Sequence, residues 1–164
     1  NPSFELPDVP TGTYTHDVPT GWTYAGTDLS YLELVDHYPN YYPNTPAGEQ
    51  FVSLGYLHLW ENTGVEYESG KTYTLTVSLA KYADLPALGG VIQLGYSNTS
   101  TGASDAMVAE QSFYNADLSS VQWTDKSVTI TINPGNTAIG KYIVVKLVRW
   151  GAWVGFDNVR LTTN

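Results

Sequence analysis

The chain of 164 residues contains no cysteine. Disulfide bonds, thiolate catalysis and cysteine-ligated zinc sites are therefore excluded. Charged residues make up only 14% of the chain, and 16 acidic residues against 7 basic ones give a net charge of −9. A field of this sign repels nucleic-acid phosphates and anionic membrane surfaces, so we expect neither as a partner. The sequence also has no apolar run long enough to span a membrane.

A convincing amphipathic helix is missing too, and the best candidate, residues 104–117, is short and mixed. Strand patterns recur instead, and residues 71–79 alternate between large apolar and small polar side chains. Such alternation is typical of a half-buried β-strand. Comparable patterns predict strands at residues 51–60, 91–96, 126–132, 141–150 and 154–162.

Turn residues separate the predicted strands, as at Gly89-Gly90 and Asn133-Pro134-Gly135. Two longer stretches, residues 36–50 and 97–105, lack a strand pattern, and loops of this length are often functional. Regularly spaced strands without helices indicate an antiparallel sandwich. We therefore predict an all-β, antiparallel two-sheet β-sandwich of the jelly-roll type, built as one domain over residues 1–164 with its termini paired at one edge.

The aromatic composition is dominated by tyrosine and tryptophan, with 13 tyrosines and 5 tryptophans against 4 phenylalanines. Tyrosine and tryptophan need a polar partner when buried, so we expect some of these rings on a surface that binds a ligand. The candidate ligand-binding residues are Tyr38, Tyr41, Tyr42, His58, Trp60, Trp150 and Trp153. A structural role is open for each of them: the tyrosines can pack the 36–50 loop, the tryptophans can cap the sandwich, and His58 can be a satisfied structural histidine.

Two carboxylates near the chain ends, Glu5 and Asp157, are the candidate metal ligands. If the first and last segments lie side by side, these carboxylates meet and repel each other unless a cation lies between them. Calcium prefers oxygen ligands and accepts backbone carbonyls, which the segments around Ser3 and Glu49 can supply. The alternative is that both acids are solvated surface residues.

Catalytic motifs are sparse. The sequence has no Gly-x-Ser-x-Gly nucleophile motif and no phosphate-binding glycine loop. Acidic side chains are available, but none stands in an arrangement recognisable from the sequence, including Glu33, Asp36, Glu49, Glu61, Asp84, Asp105 and Glu110.

Four segments together resemble the carbohydrate-binding modules of the galactose-binding-like superfamily, in the group of families 4, 9, 16 and 22. They are Asn1-Pro2-Ser3-Phe4-Glu5, Gly21-Trp22, Gly70-Lys71-Thr72-Tyr73-Thr74-Leu75 and Phe156-Asp157-Asn158-Val159. The resemblance implies a structural calcium ion at Glu5 and Asp157, with a backbone contribution from residues 48–50. It also implies a sugar site built from exposed aromatic rings.

The same layout resembles the calcium-dependent Stig cyclases of cyanobacterial indole-alkaloid pathways, which share this scaffold. That resemblance implies an enzyme that converts an isonitrile-bearing terpenoid indole into polycyclic products. Its machinery here would be an apolar aromatic pocket and one acid. Fold analogy does not choose between the two families.

Our first interpretation is a non-catalytic, secreted carbohydrate-binding module that binds a polysaccharide or oligosaccharide and is appended to a larger extracellular protein. The first alternative is a cyclase or lyase for small molecules on the same scaffold. The second alternative is an adhesion module that recognises protein. A ligand-sized apolar pocket beside one desolvated carboxylate would favour the enzyme, and an open groove would favour the binding module.

Overall fold

Eleven strands and two short 3₁₀ helices form the part of the chain that the computed structural model describes, which is residues 2–37, 40–82, 89–151 and 153–164. The 3₁₀ helices are Leu29–Tyr31 and Asn115–Asp117. The strands are β1 Tyr14–Thr15, β2 Thr23–Tyr24, β3 Leu32–Asp36, β4 Gln50–Leu54, β5 Leu57–Glu66, β6 Thr72–Lys81, β7 Gly89–Ser97, β8 Ala106–Tyr114, β9 Thr124–Thr131, β10 Tyr142–Arg149 and β11 Val154–Thr163.

These strands form two antiparallel sheets. The first sheet has the strand order β1-β3-β4-β11-β6-β9, and the second has the order β2-β5-β10-β7-β8. The prediction of an all-β, two-sheet antiparallel sandwich is confirmed, and the arrangement is consistent with a jelly roll. Within the described ranges, no helix is long and apolar enough to cross a membrane.

Alternation along the strands builds the core between the sheets. On β6, Tyr73, Leu75 and Val77 are buried, while the intervening threonines lie on the outer face. Those threonines bond across to β9, where Thr74 and Thr129 join hydroxyl to hydroxyl at 2.9 Å. Because successive side chains of a strand point to opposite faces, one face of each sheet lies in the core and the other is available for a site.

The apolar run at residues 51–60, predicted as one strand, is two strands in different sheets. β4 ends at Leu54 in the first sheet, and β5 begins at Leu57 in the second. The chain turns at Gly55, whose N–H donates to the carbonyl of Tyr31 at 2.9 Å, and Leu57 has a left-handed φ of 64°. Periodicity misses this break because residues on both sides of it are apolar.

The region 104–117 contains β8 and no α-helix, in agreement with its weak helical pattern. The two long loops also lie where the sequence predicts them, between β3 and β4 and between β7 and β8. The closing strand differs from expectation, because β11 lies inside the first sheet between β4 and β6. The N-terminal segment reaches it through the N–H of Val159, which donates to the carbonyl of Pro2 at 2.9 Å.

Candidate functional site

A cavity of about 450 Å³ lies where the chain crosses between the two sheets. The β4–β5 connection contributes Gly55 and Tyr56, and the β10–β11 connection contributes Gly151 and Trp153. Tyr31, at the end of the first 3₁₀ helix, completes the lining. We call this cavity the Trp153 pocket. Its size and its aromatic lining suit a flat, largely apolar small molecule.

Close packing against glycine positions the Trp153 indole. A Cβ atom at residue 55 would lie only 3.0 Å from Cε2 of Trp153, so the missing side chain lets the ring lie against the β4–β5 turn. Tyr31 and Tyr56 meet edge to face, with their ring centroids 6.1 Å apart. Both tyrosines are about half exposed and form the rim of the pocket.

Glu33 lies on β3, two residues along the chain from Tyr31 of the pocket lining. Leu32 and Leu34 point into the core, so Glu33 points to the outer face of the first sheet. Burial raises the pKa of the Glu33 carboxyl, and the neighbouring His16 lowers it by a smaller amount. Glu33 therefore keeps its proton to a higher pH than an ordinary glutamate does.

Ser53 lies opposite Glu33 in the β3–β4 ladder and contacts Tyr42, a buried tyrosine of the 36–50 loop. The hydroxyl groups of Tyr42 and Ser53 share a hydrogen bond of 2.8 Å. Burial raises the pKa of Tyr42 far above its ordinary value, so the phenol stays neutral. The pair anchors the loop on the sheet next to Glu33.

A second, smaller core covers this outer face. Trp123 lies across Phe51 with centroids 5.4 Å apart, and its indole N–H donates to the carbonyl of Pro43 at 3.2 Å. Gly155 leaves room for both rings, since a Cβ there would lie 3.0 Å from Trp123. The whole group, which we call the outer aromatic cluster, comprises Val35, Tyr41, Tyr42, Phe51, Ala80, Tyr82 and Trp123.

Glu5 and Asp157 lie close enough for their charges to interact, as predicted, and both contact the 45–50 segment. We call them the terminal carboxylate pair. Glu5 accepts hydrogen bonds from the backbone N–H groups of Glu49 and Gln50, the shorter being 3.1 Å. Asp157 accepts one from the N–H of Ala47 at 3.2 Å. One loop therefore holds both carboxylates.

Asp157 is fully buried. Burial is the main cause that raises the pKa of its carboxyl to about 8, and the charge of Glu5 adds to the rise. The hydrogen bonds from the backbone N–H groups of Asn158 and Ala47 oppose the rise in this pKa. Arg160 opposes it more weakly, and its guanidinium donates to Asp125 at 2.6 Å. A buried carboxylate next to a second one matches the hard oxygen donor set that calcium prefers.

The other two predicted metal residues lie differently. Ser3 is half-buried in the N-terminal segment before Glu5. Glu49 gives only its backbone N–H to Glu5, and its side chain lines a separate cavity. No three acidic, cysteine or histidine side chains converge as metal ligands within the residues described here. Any ion at the terminal pair therefore needs backbone or water oxygens as well.

The predicted ligand-binding residues do not form one surface. His58 and Trp60 lie on β5, on the outer face of the second sheet, opposite Val148 and Lys146. Burial lowers the pKa of His58, and the charge of Lys146 lowers it further. Trp150 is 45% exposed at the start of the β10–β11 connection.

Tyr41 and Tyr42 of the 36–50 loop belong to the outer aromatic cluster. Tyr41 stacks on Tyr82 with centroids 4.7 Å apart, and Tyr42 is buried. Tyr38 lies outside the described residues. Among the predicted rings that the structure describes, Trp153 alone lines the pocket.

The sequence did not identify Tyr31, Gly55, Tyr56 or Gly151 as site residues, and it left Glu33 among several unplaced acids. The available signal was Gly55-Tyr56 inside an apolar run, where a glycine marks a possible break. The residues that the fold brings to this break are Tyr31, Gly151 and Trp153, and only the connections between the sheets join them.

The fold and the site define a two-sheet jelly roll with an aromatic pocket at the crossings between its sheets. A family model described as "HpiC1-like: HpiC1 cyclase" matches residues 1–162. The chain belongs to this HpiC1-like family. None of the curated proteins searched matches the chain.

Solved structures show the same fold. A cyclase from Fischerella sp. TAU in complex with 4-(1H-indol-3-yl)butan-2-one is 22% identical, with a TM-score of 0.79, and the match covers 100% of this chain and 94% of that one. The Stig cyclase Fisc from the same organism, in complex with (3Z)-3-(1-methyl-2-pyrrolidinylidene)-3H-indole, is 21% identical, with a TM-score of 0.78 and the same coverage.

Carbohydrate-binding modules match less well. The CBM22-2 xylan-binding domain of Paenibacillus barcinonensis Xyn10C is 13% identical, with a TM-score of 0.55, and the match covers 88% of this chain and 92% of that one. Both superfamily resemblances in the sequence therefore reflect a shared fold, and the family match decides between them in favour of the cyclases.

The first interpretation of the sequence, a non-catalytic carbohydrate-binding module with a polysaccharide partner, is wrong. The family is a cyclase family, and the two similar cyclase structures hold indole compounds. The expectation that the chain is a module appended to a larger protein rested on the carbohydrate-binding interpretation and has lost its support. The physical reason for the error is that short motifs such as Phe156-Asp157-Asn158 identify the scaffold and its ends. Residues in other parts of the chain determine which ligand is bound.

Proposed function

We propose that this protein is a cyclase that binds an indole-sized aromatic small molecule in the Trp153 pocket. The observation that carries the proposal is a cavity of about 450 Å³ lined by Tyr31, Tyr56 and Trp153, with Glu33 two residues along the chain from Tyr31. Family membership and the indole ligands of similar cyclases support the substrate class. The pocket volume fits such a ligand, since sites for small molecules span roughly 300–1,000 Å³.

Glu33 is the proposed proton donor. A general acid works best when its pKa is close to the working pH, and burial moves the pKa of Glu33 upward in that direction. The carboxyl group gives its proton to the substrate, the resulting cation closes a ring, and the product returns a proton to the carboxylate. The reaction is an isomerisation and needs no other reactant.

The aromatic lining has two tasks in this scheme. It excludes water from the cation that forms after protonation, and the faces of the rings attract its positive charge. Trp153 is fixed against Gly55 and therefore offers a rigid face. Tyr31 and Tyr56 at the rim admit the substrate and cover it from the solvent side.

The terminal carboxylate pair is the proposed site of a structural calcium ion. Glu5 and Asp157 would provide the charged oxygens, and backbone oxygens near Ser3 would complete the shell. The donor chemistry fits because Asp157 is buried and next to a second carboxylate. The ion supplies charge neutralisation, which would tie the N-terminal segment, the 45–50 loop and β11 together.

The test combines binding with turnover. Calorimetric titration with 4-(1H-indol-3-yl)butan-2-one should show binding to the wild type, and Trp153→Ala should weaken it at least about tenfold, because a buried aromatic contact is lost. Trp150→Ala is the matched control, since Trp150 lies in the same connection and does not line the pocket. Tyr56→Ala repeats the test at the rim of the pocket, where the side chain is half exposed and its loss should not disturb folding.

Turnover is followed by mass spectrometry of an isonitrile-bearing terpenoid indole incubated with the protein. The expected product has the mass of the substrate and a new retention time. If wild type gives neither a new isomer nor indole binding, the cyclase proposal fails. If binding occurs and Trp153→Ala binds as well as wild type, the assignment of the pocket fails.

A further inference from the structure

Glu33, the proposed acid, has a histidine beside it on the neighbouring strand segment. β1 pairs with β3 so that Thr15 lies opposite Leu34. His16 directly follows β1, and one further step in this antiparallel register places it opposite Glu33. Directly opposed residues of an antiparallel pair point to the same face, with their Cβ atoms roughly 4.5–5.5 Å apart. His16 and Glu33 therefore share the outer face of the first sheet.

A short hydrogen bond fixes the imidazole in this position. Nδ1 of His16 lies 2.6 Å from the carbonyl oxygen of Leu32, the residue that immediately precedes Glu33. A carbonyl oxygen only accepts, so Nδ1 carries a hydrogen, and a further proton can bind only at Nε2. The ring of Tyr14 meets the imidazole edge to face, with their centroids 5.6 Å apart. The imidazole is thus held by β1 and β3 together.

Two carboxyl groups interact electrostatically with His16. One is Glu33, whose pKa is raised by burial and lowered by a smaller amount by His16. The other is Asp28, whose pKa is lowered mainly by hydrogen bonds from Ser30 and to a smaller extent by His16. Asp28 caps the 3₁₀ helix that ends at Tyr31 of the pocket lining. His16 therefore lies at the junction between the pocket rim and the proposed acid.

The other neighbours of Glu33 come from the opposite side, where β4 and the 36–50 loop pack. Ser53, its partner on β4, carries no charge. Tyr42 interacts electrostatically with Glu33, but burial keeps its phenol neutral. Of these neighbours in the described part of the chain, His16 is thus the one that gains a charge when the pH falls.

We propose that His16 is a positioning residue for Glu33: its imidazole, fixed on the carbonyl of Leu32, holds the strand that carries the acid and sets the pH range in which Glu33 can give up a proton. This inference rests on the proposed function, since it concerns the acid of that reaction. A protonated imidazole favours the ionised form of a neighbouring carboxyl group, so Glu33 loses its proton at a lower pH. His16 is not part of the pocket lining and acts through Glu33.

The first variant separates the charge of His16 from its hydrogen bond. His16→Asn keeps a side-chain N–H donor near the position of Nδ1 and removes the charge. Turnover should then fall at a higher pH than in wild type, by about half a pH unit or more, because Glu33 keeps its proton to a higher pH. The shift should shrink at about 1 M salt, since His16 is exposed and its charge is screened.

The second variant removes both features. His16→Ala should show the same pH shift and, in addition, a kcat several-fold below that of wild type with KM little changed, because the acid is less well placed and the pocket is intact. His58→Asn is the matched control. His58 lies on β5 in the second sheet, so its replacement should leave the pH profile of turnover unchanged.

A direct titration keeps this inference separate from the proposed function. ¹³C NMR of the Glu33 side-chain carboxyl, assigned with the Glu33→Gln variant, follows its ionisation without any turnover. The titration of Glu33 should move to higher pH in His16→Asn, in agreement with the kinetic profile. If wild type turns over no substrate, the proposed function fails, and this titration still decides whether His16 controls Glu33.

Three results would overturn the inference. One is a Glu33 titration in His16→Asn that is the same as in wild type. Another is an equal shift in His58→Asn, which would make net charge, and not the position of His16, the cause. The third is a His16→Ala variant with the kcat of wild type at low pH, which would show that the imidazole does not hold the acid in place.

Discussion

Gly48 and Glu5 occupy the same space: a Cβ atom at residue 48 would overlap Oε1 of Glu5. Gly48 also has a left-handed φ of 71°. The glycine therefore lets the carboxylate reach the N–H groups of Glu49 and Gln50. One backbone position thus decides whether the N-terminal segment can join the 45–50 loop.

Gly48→Ala should destabilise the protein and displace Glu5. A left-handed conformation costs a residue with a Cβ about 1–2 kcal/mol, and the overlap adds roughly 1–3 kcal/mol. Thermal melting measures the loss. Gly12→Ala is the control for the backbone contribution, since Gly12 has a φ of 79° and nothing within 4 Å of the added carbon. Equal losses in both variants would contradict the role given to Glu5.

Chelation should make stability depend on pH through Asp157. Burial raises the pKa of Asp157 to about 8, above its value in the unfolded chain. The folded state then binds more protons than the unfolded state between about pH 4 and pH 8, so stability falls as pH rises through this window. The loss is of the order of a few kcal/mol, at about 1.4 kcal/mol per pKa unit.

Calcium should remove most of this fall, since a cation favours the ionised carboxyl group. Melting curves in chelator and in calcium between pH 4 and 8 measure both effects. Asp157→Asn should flatten the dependence in chelator and abolish any gain from an ion at the terminal pair. A wild-type melt that is the same in chelator and in calcium at pH 8 would contradict the proposed ion.

Glu33→Gln should lower turnover by about 10²–10⁴-fold while indole binding is retained, because the amide keeps the shape and cannot give up a proton in this way. In wild type, turnover should fall as pH rises through the pKa of Glu33, since the acid form is the active one. Burial raises that pKa, so the fall comes at a higher pH than for an ordinary glutamate.

Glu61→Gln is the matched control for Glu33. Its carboxyl pKa is also raised, mainly by burial, and it lies on β5 in the other sheet. Turnover of Glu61→Gln should equal that of wild type. A Glu33→Gln variant with unchanged turnover and pH profile would exclude Glu33 as the acid.

Tyr42→Phe should destabilise the fold by about 1 kcal/mol, because the buried Ser53 hydroxyl loses its hydrogen-bond partner. The double variant Tyr42→Phe with Ser53→Ala should recover part of that loss, since both polar groups are then absent. Thermal melting of the wild type, the two single variants and the double variant gives the coupling energy between Tyr42 and Ser53. Tyr31→Phe, at the half-exposed rim, serves as the control and should change stability little.

Local patterns in the sequence predicted the framework well. The alternation at residues 71–79 and 126–132 defines β6 and β9, because a two-residue period fits only a strand with one buried face. The approach of Glu5 to Asp157 was also predictable, since both belong to end segments that resemble one family of folds. The acidic composition predicts that nucleic acids and anionic membranes are not partners, and this stays a prediction.

Only the tertiary structure decided the sites. The Trp153 pocket joins residues 31, 55, 56, 151 and 153 through two connections between sheets, and a second, smaller cavity joins Thr11 to Glu49. The decisive break at Gly55 is hidden in an apolar run, because core residues of either sheet look alike in sequence. Burial, which moves the pKa values of Glu33 and Asp157, depends on what other segments cover, and a linear pattern carries no such information.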